Sequence, residues 1–356
     1  MTDVDPRYAM SSFLQFRAVY DPNIRFAAHI DPPRRADTAF AAQRKAVDTP
    51  ERLYEHLAAF MERETSGGKA ALALSGGIDS AICAKFMPKG SVAYTFKCVV
   101  PGKQVTDETQ KAKRFCAING LQQRVVEVFW PDYAALAPEL FRYIRAPFHS
   151  IDVQIYKAAL QARRDGFDTL IFGQGADLIY GGFDHLLAQD WLIGEFIDRY
   201  SCVIPYKALK DFAVITAPYA KYEKNGYMAL HDFLDDHLFW EDIHSYHNSC
   251  AAAGVKFAGA YMDTVHKPLD ISRVRRGESK YLVREVFKRL YPDTAMAEKT
   301  PMPRPMDEWL ENWSGPRRPE FWPNCHISMT GDQKYYIWIL EKFLDFIGET
   351  EELSHE

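Results

Sequence analysis

The sequence predicts an α/β protein: a parallel sheet buried on both faces, followed by a mainly helical C-terminal part. Three observations point there. Four short apolar runs, Ala70–Leu74, Ser91–Val100, Arg124–Phe129 and Thr169–Phe172, alternate with helix-patterned segments, as βαβ units do. The first and fourth of these runs end in glycine turns that carry an acid. Beyond Gly182 the strand signals fade and longer segments of helical spacing take over.

Residues 1–64 read as an N-terminal extension. Pro32-Pro33-Arg34-Arg35 breaks it, and Leu53, Leu57, Phe60 and Met61 give Pro50–Glu64 a helical apolar stripe. Residues 65–184 form the α/β core, with helices expected over Ser80–Met87, Asp107–Asn119, Asp132–Arg142 and Asp152–Arg164. Residues 185–356 form the third part, with helices expected over His185–Asp198, Tyr227–Leu238, Glu241–Ala252, Lys280–Leu290 and Asp332–Ile347. Between the last two, residues 292–323 hold seven prolines. Such a stretch cannot be helix or central strand, and reads either as a wall of the site or as a surface strap. The acidic tail Glu349–Glu356 is expected to fray.

Composition sets the class. With 356 residues, 47% hydrophobic, 14% aromatic and 26% charged, the chain is an ordinary globular protein rather than a collagen-like, disordered or coiled-coil one. A formal net charge of -5 offers no footprint for nucleic acid. The six cysteines are scattered without a CxxC pair, the pattern of free thiols in a reducing compartment. Asp3 and Asp5 stand where a signal peptide needs basic charge, and no run approaches a membrane span. A cytoplasmic protein is expected, with no membrane and no nucleic-acid partner; the oligomeric state is not legible.

The strongest motif is Ser75-Gly76-Gly77-Ile78-Asp79-Ser80, which leaves an apolar strand and enters a helix. Glycines there let backbone N–H groups turn towards an anion, and the helix N-terminus adds partial positive charge. An acid among these donors repels phosphate unless a cation such as Mg²⁺ lies between them. The loop is not a Walker A sequence, which needs GxxxxGK[ST]. A second turn, Gly173-Gln174-Gly175-Ala176-Asp177, follows the fourth strand, with Gly181-Gly182 close behind. Asp79 and Asp177, leaving the ends of separate parallel strands, are expected to converge on one crevice and share a metal.

SGGIDS after a strand resembles the pyrophosphate loop of the N-type ATP pyrophosphatases. The second turn resembles the GxGxDExxGGY signature of asparagine synthetase and its β-lactam-forming relatives. Ser279-Lys280-Tyr-Leu-Val-Arg284 resembles that family's K-x-x-L-R helix, and Lys299-Thr-Pro-Met-Pro with Trp309 a later lysine segment. Gly254–Asp263 looks like a drifted form of a further segment, so the likeness covers about residues 50–315. The resemblance implies a five-stranded parallel sheet of the adenine-nucleotide hydrolase-like (HUP) type. It also implies ATP cleavage between the α and β phosphates, with ATP and Mg²⁺ as cofactors. It assigns Ser75, Gly76, Gly77, Ile78, Asp79, Ser80, Phe96, Gly173 and Gly175 to the nucleotide, Asp79 and Asp177 to the metal, and Lys280 and Lys299 to charge stabilisation during adenylation.

The departures fall on the acceptor side. Gln174 occupies the place of a Glu in asparagine synthetases and of a Tyr in β-lactam synthetases, and it cannot act as a base. A rough alignment puts His244 near the position of the base's partner; an ordinary helix histidine is the plainer reading. Glu241, His244 and His247 recur every third residue, which suggests metal less than a polar helix face. Lys256 and Ala258 replace a Glu and an Arg of the family, and Glu298 stands beside Lys299. With Thr2 after the initiator and no cysteine before Cys83, the segment preceding the synthetase region is too short for a glutaminase. Nitrogen is then expected from free ammonia, from a separate glutaminase, or from a substrate amine. The expected function is an AMP-forming amide ligase for a small-molecule carboxylate; a glutaminase-fed subunit and a catalytically idle ATP-binding protein are the alternatives.

Overall fold

The computed structural model describes residues 2–36, 38, 43–296 and 302–354. Its centre is a five-stranded sheet of β1 (Ala70–Ala73), β2 (Val92–Val99), β3 (Gln122–Phe129), β4 (Thr169–Phe172) and β5 (Lys256–Gly259). The strands are all parallel, in the order β5-β4-β1-β2-β3. Alternate residues of one strand face opposite layers. In β1, Ala70 and Leu72 join the apolar cluster on one face, Ala71 and Ala73 that on the other. The first face is covered by α2 (Pro50–Thr65), α3 (Ile78–Phe86), α4 (Thr109–Asn119) and α8 (Tyr281–Leu290). The second is covered by α1 (Pro6–Phe16), α5 (Trp130–Ile144), α6 (Asp152–Arg164), α7 (Phe239–Ala252) and α9 (Gly331–Ser354).

The order of the strands positions the site. The chain runs β1-β2-β3 outwards, then returns to lay β4 on the other side of β1. The direction of winding therefore reverses between β1 and β4, and a crevice opens where their C-terminal ends diverge. Both glycine turns leave from those two ends.

Several segments differ from expectation. The edge strand β5 pairs residue for residue with β4, Lys256 with Thr169 through Gly259 with Phe172, so the sheet draws one strand from outside 65–184. The segment 227–238 is not one helix. Asn225 and Gly226, both at positive φ, close a small hairpin between Glu223–Lys224 and Tyr227–Met228, and short helical turns follow over Leu230–Phe233 and Leu234–Leu238. The stretch expected as a helix over His185–Asp198 breaks into Asp184–Leu187 and Ile193–Tyr200. In the acidic tail, α9 continues to Ser354, and residues 355–356 lie outside the described ones. All six cysteines are free. Among the described residues no helix is long and apolar enough to cross a membrane.

Candidate active site

The first glycine turn, Ser75–Ser80, is closed by its own hydroxyls. Ser75 N–H donates to Ser80 Oγ at 3.2 Å, Gly77 N–H donates to Ser75 Oγ at 3.2 Å, and Ser80 Oγ donates to the Gly77 carbonyl at 3.3 Å. Gly76 has φ +83, and a Cβ there would lie 2.6 Å from Lys111 Cβ, so glycine is demanded twice over. Ile78, Asp79 and Ser80 form the first turn of α3, whose N–H groups face the crevice mouth.

The second turn touches the first through backbone. A Cβ on Gly173 would stand 2.7 Å from Ser80 N and 2.8 Å from Asp79 C; only glycine lets the ends of β1 and β4 approach so closely. Gly182 serves the acid: its N–H donates to the Asp177 carbonyl at 2.7 Å, and a Cβ there would fall 2.0 Å from Asp177 Oδ1. Gly175, at φ +99, packs against Met262 and does not line the cavity.

The two acids do converge. Lys280 Nζ lies 2.7 Å from Asp79 Oδ2 and 3.0 Å from Asp177 Oδ1. Burial alone works against its charge, but the two carboxylates outweigh burial and hold the Lys280 ammonium above its ordinary pKa. Lys280 adopts a left-handed conformation (φ +52) as the N-cap of α8, a strained geometry for a side-chain-bearing residue that aims it inward. A cation therefore already stands between the carboxylates, and the chemistry of this oxygen pair fits a hard divalent cation such as magnesium.

One cavity contains Ser75 to Ser80, Phe96, Gly173, Gln174, Asp177 and Lys280. Arg284, the last residue of the Lys280 motif, also lines it, as do Glu108, Lys111 and Tyr246, which motif reading did not single out. Burial pushes the Glu108 carboxyl up to about 7, against the pull of Lys111 and with a further push from Asp107. The proline-dense segment supplies part of the wall through Met302 and Pro303. It is pinned to the core where the Pro303 carbonyl accepts from Gln154 Nε2 at 3.0 Å and where Trp309 Nε1 donates to the Val99 carbonyl at 3.3 Å. Lys299 and Glu298 lie outside the described residues.

His244 is not at the cavity. It is buried on the far side of α7, next to the Trp240 ring and the Asn248 amide, and burial, reinforced by Arg35, pushes it down to about 4. Its helix presents Asp242 and Tyr246 to β4 instead. Asp242 is two residues from His244, about 200° around the helix, and accepts a short hydrogen bond from Gln174 Nε2. Burial pushes the Asp242 carboxyl up to about 7; the hydrogen bond from Gln174 opposes this, and Asp177 and Glu241 add to it. Glu241 is taken by Arg17 and the Tyr200 hydroxyl, and among the described residues no group of three or more His, Cys, Asp or Glu is placed to hold a metal. Lys256 pairs with Glu64 at 2.6 Å, away from the cavity.

The family model for asparagine synthase matches residues 53–317. No curated protein matches the chain. Solved structures similar to it include an NH3-dependent NAD synthetase from Campylobacter jejuni, at 16% identity and TM-score 0.26, covering 38% of this chain and 61% of that one. An NMN synthetase from Francisella tularensis is similar at 11% identity and TM-score 0.27, covering 72% and 100%. A U34-tRNA thiolase, NcsA, from Methanococcus maripaludis is similar at 13% identity and TM-score 0.25, covering 70% and 84%. The chain thus spans about three fifths of the first of these, and scores this low carry no argument about its chemistry.

Proposed function

We propose that this chain, which belongs to the asparagine synthase family, is an ATP-dependent, AMP-forming ligase that joins a small carboxylic acid to ammonia or an amine. The supporting observation is the pair Asp79 and Asp177, held at one buried ammonium beside a closed phosphate loop in a single cavity. Bound between those carboxylates and the phosphates, magnesium would offset the negative charge that grows on the leaving pyrophosphate.

The residues of this chain divide the remaining work. The Gly76 N–H and those of Ile78, Asp79 and Ser80 at the α3 N-terminus hold the β and γ phosphates, while the Ser75 and Gly77 N–H groups shape the loop. Phe96 and Glu108 border the nucleotide end of the cavity. With Asp79 and Asp177 holding a magnesium, the Lys280 ammonium would be left to face the phosphates; Lys299 is proposed as a second cation for them. A substrate carboxylate oxygen attacks the α-phosphorus, the bond to the bridging oxygen breaks, and pyrophosphate leaves. The amine then attacks the acyl carbon, AMP leaves, and the nitrogen loses one proton. Gln174, with Nε2 given to Asp242, keeps Oε1 to accept an amine N–H and so orients the nucleophile without acting as a base.

The test is ATP–pyrophosphate exchange across a panel of carboxylic acids, with Asp177→Asn as the blank. Acid-dependent exchange in the wild type, lost in a variant with unchanged circular dichroism, is the expected result. Full exchange in Asp177→Asn overturns the metal assignment, and hydrolysis to ADP overturns the reading as a whole.

A further inference from the structure

The cavity has two chemically different ends. The first glycine turn, Glu108 and Lys111 border it by β1 and the start of α4; Phe172, Gln174 and Tyr246 border it by β4, and Met302 and Pro303, the latter held by Cys98 of β2, close the wall across from them. The second end is mostly hydrocarbon. The Phe172 and Tyr246 rings meet edge to face at 5.2 Å, and Phe257 braces both from β5, at 5.6 Å from Phe172 and 5.8 Å from Tyr246. Pro303 is fixed from behind by Gln154 and by Cys98, whose Sγ donates to the Pro303 carbonyl at 3.2 Å. The wall is therefore preformed, and the β4 turn adds two polar groups to it, the Gln174 amide and the Asp177 carboxylate.

Resting on the adenylation reading above, we infer that the acid this protein activates has an apolar, ring-sized body. That body lies against Phe172, Tyr246 and Met302, with its carboxylate towards Lys280 and the phosphates. Aromatic walls reward planar hydrocarbon through area and ring geometry, and apolar walls with a few placed polar groups are the usual design for recognising such a ligand. An amino-dicarboxylate would bring a second carboxylate against the rings and towards the Asp177 carboxylate, where stripping its water is costly and like charges repel.

The experiment is calorimetric titration of the full chain, saturated with Mg²⁺ and α,β-methylene-ATP, which cannot be cleaved at the α–β bond. The titrants are benzoate, phenylacetate, cyclohexanecarboxylate, aspartate and glutamate. The ring acids should bind about tenfold or more tighter than aspartate, with about fourfold gained per extra methylene that the pocket can bury. Tyr246→Ala should weaken the ring acids by about tenfold while the ATP analogue binds as before, and Tyr246→Phe should keep their affinity. Aspartate or glutamate binding as tightly as the ring acids overturns the inference, as does an acid-blind cavity or an unchanged affinity in Tyr246→Ala. Should that variant fail to fold, the ranking of acids on the wild type decides. Ring acids that bind yet support no pyrophosphate exchange would leave the pocket standing and refute adenylation instead.

Discussion

Replacing Lys280 by Met keeps most of the side chain's length and removes the charge that bridges Asp79 and Asp177. Their oxygens lie 2.7 and 3.0 Å from one nitrogen, so they stand no farther apart than those distances laid end to end, about 5.7 Å. Asp177 is about one-third exposed, which makes an effective dielectric near 20 the fitting choice. Two like charges at that separation then repel by about 3 kcal/mol, within the range for removing one partner of a buried pair. For a chain of this size that is a fall of roughly 5 °C in Tm. Because the loss is charge repulsion, it should shrink on acidification, when one carboxylate takes a proton, and on adding millimolar magnesium, which restores a cation. Thermal unfolding followed by circular dichroism, with and without magnesium at two pH values, measures all of this. A variant that melts with the wild type and ignores magnesium would refute the claim that Lys280 neutralises a cation-binding pair.

Two further variants test the geometry. Gly173→Ala forces a methyl to 2.7 Å from Ser80 N, so the β1 and β4 turns must separate; exchange activity should fall by about a hundredfold or more with secondary structure intact, and near-normal exchange would show the close approach to be dispensable. Asp242 acts through Gln174, and its carboxyl, pushed up to about 7, is ionised only above that value. As pH falls through 7, Asp242 takes a proton and the bond it accepts from Gln174 Nε2 loses its charge assistance, so Gln174 is held less firmly and the KM for the free amine should rise; Asp242→Asn should abolish that dependence while sparing the KM for ATP. A wild-type amine KM, corrected for amine ionisation, that stays flat from pH 6 to 8 contradicts the role.

The phosphate loop was legible because its requirements are local. Two glycines, two hydroxyls and an acid between an apolar strand and a helix specify a nest within six residues. Asp177 was legible for the same reason, and its meeting with Asp79 followed from parallel topology. The fifth strand, Lys256–Gly259, was not legible as a strand, because four residues beginning with Lys and ending in Gly show neither alternation nor a long apolar run. The hairpin at Asn225–Gly226 carried a recognised turn signal, which the flanking helical spacing outweighed. His244 and Asp242 sit two residues apart, and the rotation of α7 against β4 decides between them, which sequence does not encode locally. Glu108 and Lys111 reach the cavity because the start of α4 packs on Gly76; the tightness of that contact is visible only in three dimensions.

In the proposed reaction this crevice breaks ATP between its α and β phosphates to activate an acid. Quantifying nucleotide products by ion-exchange chromatography, from ATP, Mg²⁺, a ring carboxylate and ammonium, tests it most directly. The account predicts AMP and pyrophosphate in equal amounts, dependent on the acid and absent in Asp177→Asn. ADP with orthophosphate, or AMP formed at the same rate by Asp177→Asn, would contradict it.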